Sequence, residues 1–125
     1  MAIRRTTVTV TGAAGGAGAA TANAISTHVV NGLVLAVYVE YTDSPPVTTD
    51  VTIVEANNSP AMPILTLTDN ATPGWYQPMA DAEDISGAAI GNLVQQIAIN
   101  DYIKATIAQA NDGDGCVVTV VWMEA

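Results

Sequence analysis

Hydrophobic residues recur at every second position along much of the chain. Thr6 to Thr11 alternates threonine with valine, the period-two pattern of a half-buried strand. Leu33, Leu35, Val37, Val39 and Tyr41 repeat on one face of the next apolar stretch. Val34, Ala36 and Tyr38 fill its other face, which predicts a central strand or one covered by a partner. Asn31-Gly32 reads as a hairpin turn between Thr27–Val30 and that strand. Ser44-Pro45-Pro46 ends it, because proline donates nothing to a ladder.

Asp50 to Glu55 alternates again, with Val51 and Ile53 inward and Asp50 and Thr52 outward. After the turn Asn57-Asn58-Ser59-Pro60, the pattern predicts strands at Ile64–Thr68, Ile99–Ala108 and Val117–Met123. In the last of these Val118, Val120 and Trp122 share a face. Asn111-Asp112-Gly113-Asp114-Gly115 has the chemistry of a hairpin turn. Asp69 to Pro78 reads as a loop holding Pro73-Gly74 and Trp75-Tyr76. In Met79–Gln96, Gly87 and Gly91 discourage a long helix, leaving a short helix or an ordered loop. The Gly/Ala stretch Gly12–Ala24 has little to bury and reads as a loop or flexible arm. The expected fold is all-β: an antiparallel β-sandwich or small barrel of about seven short strands. Residues 1–24 form an N-terminal strand with a Gly/Ala-rich arm or loop, and 25–125 form the sandwich.

Composition narrows the function classes. The 125 residues are 50% hydrophobic but only 12% charged, about half the usual charge content. Such a surface suits a protein largely covered by neighbours. Net charge is −9, and from Thr6 onward one lysine, Lys104, stands against twelve acids. No face of that body neutralises a row of phosphates, so neither nucleic acid nor an anionic membrane is an expected partner. Arg4-Arg5 lead into Thr-Thr-Val-Thr-Val rather than an apolar leader, and no apolar run approaches a membrane span. Asn57-Asn58-Ser59 and Asn70-Ala71-Thr72 match the glycosylation acceptor pattern but read as turns.

The candidate chemistry is thin. Thr11-Gly12-Ala13-Ala14-Gly15-Gly16-Ala17-Gly18 follows a valine-rich strand and resembles the cofactor loop of short-chain dehydrogenases. The chain is half the length such an enzyme needs, Asn100 stands where the Tyr-x-x-x-Lys pair would need its tyrosine, and repeated strand–helix units are lacking. Asp112-Gly113-Asp114-Gly115 lacks the spread ligands and terminal glutamate of a calcium loop. Calcium at this turn, or at Asp81, Glu83 and Asp84, is the alternative to a plain turn. His28 and Cys116 are single, too few for a zinc site or a Cys/His pair, and Cys116 reads as core. Carboxylates such as Asp43 and Asp50 could do acid–base work, but few aromatics are present to stack a sugar. No catalytic, metal or cofactor residue is assigned. Trp75-Tyr76 is either an interface anchor or a cap over the open end of the sandwich.

One resemblance rests on segment order. Asn31-Gly32-Leu33-Val34-Leu35-Ala36-Val37-Tyr38-Val39-Glu40-Tyr41 is followed by Thr49-Asp50-Val51-Thr52-Ile53 and Pro63-Ile64-Leu65-Thr66-Leu67. Then come Trp75-Tyr76-Gln77-Pro78, Asn100-Asp101-Tyr102-Ile103-Lys104 and a valine-rich strand. From Val30 onward this resembles the head decoration, or cement, proteins of tailed bacteriophages. The resemblance implies a homotrimeric subunit, made in the host cytoplasm, that sits on the outer capsid surface and clamps the major capsid protein. Arg4 and Arg5 would dock an acidic capsid patch, with Trp75 and Tyr76 as further partner-binding residues, and Met1–Gly12 would pair with strand edges of capsid or neighbour. Other classes are a tail or fibre component, a carbohydrate- or protein-binding β-module, and, least favoured, an enzyme.

Overall fold

The structure, a computed structural model, describes residues 2–125. It is all-β, with no helix among the described residues. The strands are β1 (Ile3–Val10), β2 (Ala20–Ile25), β3 (Val30–Thr42), β4 (Asp50–Glu55), β5 (Pro63–Leu67) and β6 (Gly74–Tyr76). They continue as β7 (Met79–Glu83), β8 (Ala89–Gln96), β9 (Ala98–Asp101), β10 (Ile103–Ala110) and β11 (Gly115–Glu124).

Every pairing is antiparallel. One sheet runs β1-β11-β3, and the far edge of β3 is shared by β9 at its start and β6 near its end. The other runs β2-β10-β4-β5. Their inner faces form one core: Val8, Val10, Val37, Val39, Val118 and Val120 from the first, Val51, Ile53, Ile103 and Ile107 from the second. All ten are valine or isoleucine, whose branched side chains fit a pleated, half-buried surface. The turn at Asn111–Asp114 is therefore no hairpin: it carries the chain from β10 in one sheet to β11 in the other.

Alternation in β3 changes phase. Val121 pairs with Ala36 and Trp122 with Val34, so Leu35 is the extra residue of a β-bulge. Before the bulge Val30 and Val34 point inward; after it Val37 and Val39 do. The two-sided apolar run at Leu33–Tyr41 thus comes partly from this slip, and Leu33 faces solvent. Asn31-Gly32 is not a turn but part of β3. A Cβ on Gly32 would lie 1.8 Å from the Met123 carbonyl oxygen, so the residue is glycine because β11 crosses closely there.

The Gly/Ala stretch is not a flexible arm. Ala13 and Ala20 are buried, and Ala14 and Thr21 bridge. The β10–β11 turn fastens it: Ala13 N–H donates to the Asp114 carbonyl at 2.9 Å, Gly113 N–H to the Ala13 carbonyl at 2.7 Å, and Gly18 N–H to Asn111 Oδ1 at 3.0 Å. The remainder, Ala20–Ile25, is a full strand on β10. The N-terminus is likewise integral. β1 pairs along its whole length with β11 of its own chain and places Val8 and Val10 in the core, while its other edge is the open edge of the sheet. Met1 lies outside the described residues.

Met79–Gln96 is neither a short helix nor a loop but a third, two-stranded sheet, β7-β8. Apart from β7, β8 has β3 as its main neighbour. The predicted strand Ile99–Ala108 is two strands, β9 and β10, in different sheets, split at Tyr102.

Candidate interaction surface

The four candidate partner-binding residues fall into two pairs. Arg5 and Trp75 come together on the outer face of the β1-β11-β3-β6 sheet. Trp75 stands opposite Tyr38 and packs on it, ring centroids 5.0 Å apart and tilted by 49°. The Arg5 guanidinium lies 5.9 Å from the Trp75 ring centroid, within reach of a cation–π attraction. Trp75 remains 54% exposed. Across the same face run Thr7, Thr119 and Tyr38 in one row and Val121 and Ala36 beside Arg5.

Arg4 and Tyr76 point elsewhere. Arg4 pairs with Glu124, the single ion pair among the described residues. Tyr76 packs against the core, and its hydroxyl accepts from Asn70 Nδ2 at 3.0 Å. Asn70 Oδ1 in turn accepts from the Tyr41 hydroxyl at 3.0 Å, so one amide ties the β5–β6 loop to both tyrosines. Burial, then neighbouring Tyr76 and Cys116, push the Tyr41 phenol well above its ordinary value. Trp75-Tyr76 is therefore a short strand, not a loop: one ring is displayed and the next closes the sandwich.

Among the described residues no three of His, Cys, Asp and Glu cluster as metal ligands would. Asp114 is buried and accepts from Asn111 N–H at 2.8 Å, while Asp112 is exposed in the same turn. Asp84 caps the β7–β8 turn by accepting from Ser86 and Ala88 N–H. Two buried carboxylates escaped the sequence reading. Asp101 accepts from Asn57, Asn58 and Tyr102 N–H, each at 2.7 Å. Burial raises its pKa, but these donors and the Asn57 amide outweigh it and hold the carboxyl below the usual range. Glu55 accepts from Met62 N–H at 2.9 Å and Asn58 Nδ2 at 3.1 Å. Both sit at strand positions where alternation predicts an inward side chain; that phase is the one signal that could have found them.

A cavity of about 530 Å³ opens at one end of the sandwich, walled by Gly32, Leu33, Ala98, Ile99 and Met123 with Glu55 beside it. It carries no aromatic wall for stacking a sugar. His28 lies along a neighbouring, more polar cleft with Arg4, Asn100 and Glu124.

The β7–β8 hairpin is the feature the sequence reading missed. Every residue of β8 is exposed. Met79, Ile85, Ile90, Leu93 and Val94 are all solvent-exposed, five of the twelve exposed large hydrophobic residues among those described. Met79 and Val94 lie on one face and Leu93 on the other, so neither face is covered. An isolated two-stranded ribbon is at best marginally stable in water, and clustered exposed apolar side chains mark interaction surfaces. The missed signal was Ile90, Leu93 and Val94 within an otherwise polar stretch, which fits no strand buried on one side.

No protein-family profile matches this chain, and no curated protein matches it.

Proposed function

We propose that this chain is a structural assembly protein, a decoration subunit bound to the outside of an icosahedral phage capsid. The observation that carries the reading is the β7–β8 arm. An 18-residue ribbon with apolar side chains on both faces is stabilised when a neighbour covers it, as happens in a shell of repeated subunits. Three further features support it. The low charge leaves little to desolvate on assembly. The acidic body disfavours contact with packaged DNA. The buried carboxylates serve turns, with their oxygens already engaged by backbone N–H groups.

The test is the whereabouts of the chain in purified virions. Antibody labelling of intact particles and quantitative mass spectrometry should find it on the outer shell in numbers comparable with the capsid protein. Particles devoid of it, or carrying it only at the tail, would exclude the decoration role.

A further inference from the structure

The arm and the Arg5–Trp75 patch have complementary properties, and among the described residues no ion pair joins Arg5 to the arm's acids. The arm carries Asp81, Glu83 and Asp84 and no basic residue. Its tip is ordered, because the Asp84 carboxylate accepts from Ser86 N–H at 2.8 Å and Ala88 N–H at 3.1 Å while Gly87 N–H closes onto the Asp84 carbonyl at 2.9 Å. That turn holds Ile85 out at 106% exposure, a preformed apolar knob flanked by acids. Preformed elements lose little entropy on docking.

The complementary site needs a cation beside an exposed apolar surface. Arg4 is committed to Glu124. Lys104 lies on the outer face of the other sheet, with Val54 and Ile25 opposite it and no aromatic ring across from it. Arg5 forms no ion pair with any acid among the described residues and sits against Trp75, which packs on Tyr38. Tryptophan, tyrosine and arginine are the residues that dominate binding hot spots. Side-by-side docking of two arms would instead set like charges together, in a chain whose net charge is already −9.

We propose that the β7–β8 arm of one copy docks on the Arg5–Trp75–Tyr38 patch of a second copy. Each copy gives an arm and receives one, so the contact is head-to-tail and closes into a ring when the rotation allows. The arm's exposed apolar side chains offer on the order of 500 Å², and Trp75 with its surrounding β surface brings the contact toward the roughly 800 Å² per partner of a standard interface. This self-association does not depend on the capsid reading, and it is measured with no capsid present.

The experiment is sedimentation equilibrium on the purified full-length chain, with tryptophan fluorescence as a second readout. Wild-type chains should associate with a blue shift in Trp75 emission, more weakly as salt is raised. Arg5→Glu alone, and Asp81→Lys with Glu83→Lys alone, should each weaken association at least about tenfold, with circular dichroism unchanged. Mixing the two variants restores complementary charge in both directions and should recover association that neither shows alone. A wild-type chain that stays monomeric at its highest soluble concentration overturns the proposal. So does association indifferent to both reversals, or a mixture no better than its components. A chain that is monomeric alone but binds capsids would also overturn it, and would leave the decoration reading intact.

Discussion

Thr49 is fully buried, yet its hydroxyl oxygen finds no hydrogen-bond partner among the described residues. Leaving such a group unpaired costs about 1–3 kcal/mol of desolvation, and valine has nearly the same shape. Thr49→Val should therefore leave stability unchanged or raise it by about 1 kcal/mol in urea denaturation, against the usual trend for core substitutions. Cys116 is the chain's only cysteine, and burial pushes its thiol up to about 11. A thiol in an unfolded chain titrates near about 8.5. The folded pKa is the higher, so the associated stability is complete below pH ~8.5 and lost as pH rises toward about 11. Cys116→Val should flatten that alkaline decline by about 3 kcal/mol, read from denaturation midpoints between pH 8 and pH 11.

Strands show where packing overrides local pattern. In β3 the bulge at Leu35 hands the inward position from Val34 to Val37, and Gly32 lets the strand lie under the Met123 carbonyl. Gly32→Ala should cost at least about 3 kcal/mol, because backbone oxygen, not a yielding side chain, occupies the Cβ position; a change under about 1 kcal/mol would mean the strands part easily. The arm predicts the opposite. Met79 and Gln96 are paired, so their Cα atoms lie about 5 Å apart and a two-residue turn can replace Ala80–Gln95. At dilutions where both are monomeric, the shortened protomer should melt within a few degrees of the full chain, since the arm buries almost nothing in its own molecule. A large loss would show that the ribbon supports the sandwich.

The two sheets are joined at one end by a carboxylate. Asp101, at the end of β9 in the first sheet, holds the Asn57–Asn58 turn that follows β4 in the second. Its folded pKa is lowered, so its contribution is present above the unfolded value of about 4 and is lost as pH falls through the folded one. Wild-type protein should lose melting temperature steadily below about pH 4. Asp101→Asn should melt lower at neutral pH and respond less to acid. Parallel acid curves for the two proteins would rule out this tie. At the level of assembly, sparse charge, an apolar arm and a displayed Arg5–Trp75 pair are properties of a subunit stabilised by its neighbours.

The sequence by itself determined the all-β class, since period-two alternation at Thr6–Thr11, Asp50–Glu55 and Val117–Met123 fits only strands with one buried face. It also placed the charge: acids from Glu40 onward, and Arg4 and Arg5 at the start. Side-chain alternation is local, so it survives without knowledge of partners. Which strands pair, where one bulges, and which of two adjacent rings faces water depend on segments distant in sequence. Gly12–Ala24 looked loose because alanine and glycine bury little area, yet the β10–β11 turn pins its start and β10 pairs with its end. Arg5 and Trp75 lie 70 positions apart and meet only because β11 and β3 stand between their strands in a single sheet. The arm's exposure, too, was decided in three dimensions, where the sandwich core closes without it.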